Sequence, residues 1–156
     1  MNEPFALTGQ DRRILAALQA DGRISNAELA ERAGMSTSAC WRRVRALEEA
    51  GVITGYAAQV DPRACGLAFH AIVHVQLARH LRERVDSFIR AMQARPEVQD
   101  CYATTGEADY HLRVLCRDQD AYNRFLESCL FAIEGVAHVR TNLVLREIKS
   151  GGPIGV

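Results

Sequence analysis

The stretch Arg23–Tyr56, RISNAELAERAGMSTSACWRRVRALEEAGVITGY, constrains the chain more than any other. Ser25 followed by Glu28 is a capping-box start, in which hydroxyl and carboxylate each satisfy a free backbone N–H. Leu29, Ala30 and Ala33 then make one narrow apolar edge on a short helix. Gly34 ends it, because the residue past a helix end often takes the left-handed conformation that glycine adopts without penalty. Ser36 caps a second helix at once. On that helix Cys40, Val44 and Leu47 share one side, and Ser38, Trp41, Arg42 and Arg45 share the other. No Asp or Glu occurs from Ser36 to Leu47, while three arginines do. A tight helix pair with one buried and one basic face suits a DNA major groove. Ser36, Thr37, Ser38, Trp41, Arg42, Arg43 and Arg45 are therefore the candidate DNA-contacting residues.

A helical hairpin with a merely solvated arginine face is the alternative, since charge runs usually are only that. The loop Ala33–Ser36 is as short as a helix-turn-helix allows, and a third helix precedes it. That helix starts with Thr8 and Asp11, a capping-box variant, and turns Ile14, Leu15 and Leu18 inward. Both details favour DNA binding. The charge balance adds nothing: residues 1–60 hold seven arginines against seven acids, and residues 61–156 hold twelve bases against twelve acids. Binding must come from a local patch, not from a basic domain.

At 156 residues, 48% of them hydrophobic, the chain supports one ordinary domain or two small ones. No segment reads as a membrane span, and the polar start up to Pro4 lacks the order of an export signal, so the cytoplasm is the expected compartment. Five cysteines, odd in number and without a CxxC pair, read as structural thiols. No cofactor is implied.

Gly51 closes the second helix of the pair. Val52-Ile53 and Tyr56–Val60, around Thr54-Gly55, read as a short hairpin or an extended exit strand, which Asp61-Pro62 stops. From Phe69 the pattern becomes strand, helix, strand, twice over. Phe69–Leu77, Val98–Thr105, Tyr110–Cys116 and Val136–Leu145 read as strands. Val85, Phe88, Ile89 and Met92 mark one helix, which Pro96 terminates, and Tyr122, Phe125, Leu126 and Cys129 mark the other. The fold expected is α+β: an N-terminal helix-turn-helix (winged-helix-like) domain in 1–60, a linker in 61–68, a ferredoxin-like βαββαβ sandwich in 69–149, and a flexible tail in 150–156.

Helices cover one face of such a sheet. Ala71, Val73, Val75 and Leu77 suit the covered side, so His70, Ile72, His74 and Gln76 point away. His111, Arg113 and Leu115 join them, as do His138, Arg140, Asn142 and Val144. Four histidines on one face suggest a metal site or a hydrogen-bonded subunit interface. No carboxylate or thiolate obviously joins the cluster, so the interface is the expectation and no metal ligand is assigned.

With both halves placed, the chain resembles the Lrp/AsnC (feast/famine) family of bacterial and archaeal regulators. The resemblance runs from about Leu7 to Lys149. It is carried by Asp11–Leu15, Leu18–Asn26, Cys40–Glu48, Gly51–Tyr56 and Thr104–Tyr110. It implies an N-terminal DNA-binding domain, a linker strand, and a C-terminal domain that dimerises and binds an effector. The usual effectors are amino acids, lodged between dimers of a higher oligomer such as an octamer of four dimers. Trp41 departs from the smaller aliphatic residue common there. Thr104, Thr105, Gly106, Glu107, Ala108, Asp109 and Tyr110 are the candidate effector residues: glycine lets a ligand approach the backbone, and Glu107 or Asp109 could take an ammonium group. A plain β-turn is the alternative for the same residues.

An enzyme remains the other class of function, since a ferredoxin-like fold hosts many chemistries. No phosphate-binding glycine loop, serine elbow or tight metal-ligand spacing is present, so no catalytic residue is assigned. A ligand-binding module that never touches DNA would have no use for Trp41, Arg42 and Arg45 exposed together.

Overall fold

The structure, a computed structural model, describes residues 5–78 and 82–156. The polar start up to Pro4 lies outside the described residues. Two units result: one joins the chain up to Gln59 with Lys149–Val156, and the other is Val60–Ile148.

The first unit holds three helices, α1 (Gly9–Ala20), α2 (Asn26–Ala33) and α3 (Thr37–Glu49). Each begins on a side-chain cap. Thr8 Oγ1 accepts from the Asp11 N–H and Asp11 Oδ2 from the Thr8 N–H. Ser25 and Glu28 repeat the exchange, and Ser36 Oγ accepts from the Ala39 N–H at 3.3 Å. Such caps stabilise a helix by about 1 kcal/mol each. Gly34, at φ 67°, makes the left-handed turn between α2 and α3. Ile14, Leu29, Ala30, Ala33, Cys40 and Leu47 meet in the core, as the apolar spacing requires.

The expected hairpin or exit strand does not form within the described chain. The Val52 and Ile53 N–H groups both donate to the Leu47 carbonyl, at 2.9 and 3.1 Å, and so close the end of α3. Their side chains pack on the helical core, and Tyr56–Val60 runs on exposed. The 150–156 segment, expected to be flexible, instead belongs to this unit. Ile154 is hydrogen-bonded to Gln19 and Val156 packs against the core.

The second unit is β1 (Phe69–Leu77), α4 (Arg82–Gln93), β2 (Val98–Ala103), β3 (Tyr110–Cys116), α5 (Gln119–Phe125) and β4 (Val136–Leu143). All neighbouring strands are antiparallel, in the order β2-β3-β1-β4. This is the ferredoxin-like arrangement. α5 continues as one wider π turn over Leu126–Leu130, which carries Cys129 and Leu130 into the core. Ala71, Val73 and Val75 are fully buried under the helices with Phe88 and Val114. Phe88 lies 4.6 Å, centre to centre, from the Tyr110 ring. Removing a ring so buried costs about 3–5 kcal/mol.

Candidate nucleic-acid interface and effector loop

The three arginines of α3 do not share one environment. Arg42 and Arg45 are exposed beside Ser36, Thr37 and Ser38, and Trp41 is 56% exposed. The Arg45 guanidinium lies 5.8 Å from the centre of the Trp41 ring, within cation–π range. Glu48 stands 4.0 Å from Arg45, too far for a hydrogen bond, and accepts instead from the Tyr56 hydroxyl.

Arg43, counted above among the DNA-contacting residues, turns the other way. Its Nε and Nη2 reach the two carboxylate oxygens of Asp11 at 2.5 and 2.7 Å, and the Phe5 ring covers the guanidinium. Asp11 is wholly buried, and Thr8 donates to it through both its N–H and its hydroxyl. Arg43, then Thr8, outweighs the burial that would raise the Asp11 pKa and holds its carboxyl far below the usual range. Sequence spacing carries no sign of this pair. The only hint was a helix-start aspartate on the inward side of α1. Asn26 Nδ2 also donates to the Thr37 carbonyl, tying the start of α2 to the start of α3.

The effector candidates lie between β2 and β3. Gly106 has φ 120°, in the region that favours glycine, with open space around it. Thr104, Thr105, Gly106 and Glu107 are exposed, whereas Ala108 and Tyr110 are buried. Tyr110 lies under α4, so its ring belongs to the core. Asp109 ties the loop to the sheet: its Oδ2 accepts from the Leu77 N–H at 2.7 Å and its N–H donates to Val75 O at 3.0 Å. Thr104 closes the turn, its N–H reaching Asp109 O and its hydroxyl Ala108 O. Of the two carboxylates considered for an ammonium group, Glu107 alone projects outward, 82% exposed and 3.6 Å from Arg140.

The uncovered sheet face has the composition expected of it. His74 stands opposite His111 and Arg140, Ile72 opposite Arg113 and Asn142, and Gln76 opposite His138. The His74 and His111 rings meet edge to face at 4.7 Å, and Asn142 hydrogen-bonds His74 Nε2. His70 Nε2 and His74 Nδ1 are buried without a hydrogen-bond partner among the described residues. Burial first, then nearby positive or imidazole groups, lowers both pKa values. Among the described residues no three His, Cys, Asp or Glu side chains converge as a metal site. No helix among them is long and apolar enough to cross a membrane.

Two family models match. Residues 7–54 fit a winged helix-turn-helix DNA-binding model, and residues 70–154 fit the Lrp/AsnC ligand binding domain. The chain belongs to the Lrp/AsnC family. Among its relatives is the HTH-type transcriptional regulator AldR of Mycolicibacterium smegmatis, 40% identical over 92% of this chain and 84% of that protein. The leucine-responsive regulatory protein of Escherichia coli K12 is 39% identical over 89% of this chain and 85% of its own length. A transcriptional regulator of Neisseria meningitidis, solved with L-methionine, superposes with a TM-score of 0.91 at 36% identity, covering 96% of both chains. This Lrp/AsnC member is a DNA-binding transcriptional regulator with a ligand-binding domain, and its homologues are regulators, not enzymes.

Proposed function

We propose that α3 grips duplex DNA through Trp41, Arg42 and Arg45, with Ser36, Thr37 and Ser38 on the phosphates, while Arg43 only braces the helix. The observation that carries this reading is the division of the arginines: one is committed to Asp11, and two make no carboxylate hydrogen bond among the described residues and stand beside an exposed indole. The ligand is an amino acid at the Gly106 loop. Glu107 offers a partner for its ammonium group and Arg140 one for its carboxylate, and the methionine bound to the Neisseria relative supports that class. The loop tip is open, so we place the ligand between copies of the chain. The half-apolar sheet face makes the dimer, and dimers assemble further to an octamer. The protein acts in the cytoplasm and carries out no catalysis.

The test is affinity for operator and random DNA, measured for Arg42→Ala and Arg45→Ala at two salt concentrations. Loss of a guanine contact costs about 1–3 kcal/mol and relaxes specificity at one base pair. Loss of a phosphate contact weakens all sequences alike and flattens the salt dependence. Neither variant changing either affinity refutes the assignment. Bulk at Gly106, as in Gly106→Val, should abolish the ligand response while unliganded DNA binding persists, and a monomer in light scattering would refute the assembly.

A further inference from the structure

The segment Lys149–Val156 belongs to the DNA-binding unit, although the whole ligand-binding unit separates it in sequence from the helices it joins. It is held at two points. The Gln19 side-chain amide, at the end of α1, treats Ile154 as a strand partner would: Nε2 donates to Ile154 O at 3.1 Å and Oε1 accepts from Ile154 N–H at 2.8 Å. Two residues on, Val156 packs against the three-helix core and, with Ile154, Leu15, Leu18, Val52 and Ile53, lines a groove of about 750 Å³. Gly151, at φ 57°, makes the turn that brings the segment to Gln19, and Pro153 favours an extended Gly152 before it.

The hold is specific in geometry and weak in strength. Gln19 is exposed, the Ile154 side chain is 72% exposed, and Val156 alone lends apolar contact. Water competes for both hydrogen bonds, and three glycines in the segment lose much freedom on docking. An attachment of this kind releases and rebinds readily.

We propose that the 149–156 segment is a releasable strap that joins the ligand-binding unit to the DNA-binding unit at a second point. The chain already connects the two at Gln59–Val60. With the strap docked, a change in either unit acts on the other through two connections, and a difference in strap occupancy between liganded and unliganded states is a coupling free energy. The role assigned to the strap rests on the DNA and amino-acid reading above, whereas its docking does not.

The test uses the full chain with Gln19→Ala and, separately, Val156→Asp, both at surface positions that leave the helical core intact. Amide hydrogen exchange judges the docking alone: Ile154 N–H should exchange roughly tenfold more slowly in the parent than in either variant. DNA affinity with and without the twenty amino acids, L-methionine first, judges the coupling. The variants should bind DNA like the parent without ligand and show a severalfold smaller ligand effect. Equal exchange at Ile154 in parent and variants overturns the docking. Faster exchange with an unchanged ligand effect overturns the strap's role. A parent that binds no DNA, or answers no amino acid, overturns the functional reading and the coupling together, while the exchange result still stands for the docking.

Discussion

The two units treat their inward polar groups in opposite ways. The helical unit buries one carboxylate, Asp11, and surrounds it with Arg43 and both donors of Thr8. The sheet unit leaves His70 Nε2 and His74 Nδ1 buried on its uncovered face with no hydrogen bond among the described residues. A buried polar atom without a partner costs about 1–3 kcal/mol, a penalty that Asp11 avoids and the two histidines bear.

The strongest way to break this contrast is Asp11→Asn. It leaves Arg43 half-buried without its counter-charge, and losing one partner of a buried pair costs about 3–5 kcal/mol. Arg43 is 31% exposed, so about 2–3 kcal/mol is the expected loss. The melting temperature of the helical unit, followed by fluorescence of Trp41, the chain's one tryptophan, should fall by more than ten degrees or so. A parent-like melt would show that the pair contributes little.

Neighbouring arginines sharpen the point. Arg43→Ala should lower stability by a similar amount, about 2–3 kcal/mol, because it leaves the wholly buried Asp11 carboxylate with only the two donors of Thr8. Its effect on DNA affinity below the melting range should be small. Arg42→Ala should do the reverse, with an unchanged melt and weaker DNA binding. Parallel melts and binding curves distinguish the two.

Acid separates the units most gently. His70 and His74 have folded pKa values below the unfolded value of about 6.5. The unfolded chain therefore takes up protons first, and the sheet unit loses stability as pH falls through about 6.5, with none of that loss above it. Asp11, with its folded pKa depressed, contributes in full above about pH 4 and loses its contribution only as pH falls below that. Between pH 6.5 and 4.5 the sheet unit should weaken while the Trp41 signal holds. Thermal unfolding at stepped pH, read by Trp41 and by far-ultraviolet circular dichroism, checks this, and coincident weakening of both signals would contradict it.

Much of this was legible in residue order. Capping pairs such as Ser25–Glu28 and the alternation of His70–Leu77 set helix starts and strand faces, because both depend on neighbours a few positions away. The Asp11–Arg43 pair was hidden, since it joins residues 32 apart on two helices. So were the closing of α3 by Val52 and Ile53 and the docking of Val156, because each depends on a groove that exists only once the helices have met. At the candidate effector loop, Gly106 and the exposed Glu107 were readable from turn chemistry. The structural duty of Asp109 was not, as its partner Leu77 sits on another strand.

The strand order has a consequence in time. β1 pairs with β4, so that Ala71 lies opposite Leu143, and one side of β1 stays open until the last strand arrives. Contacts within the three helices span far shorter stretches of chain, and short-range contacts form orders of magnitude sooner than long-range strand pairs. A refolding chain thus regains its three helices early and its sheet late, so that its DNA-binding half is ready before its ligand-binding half.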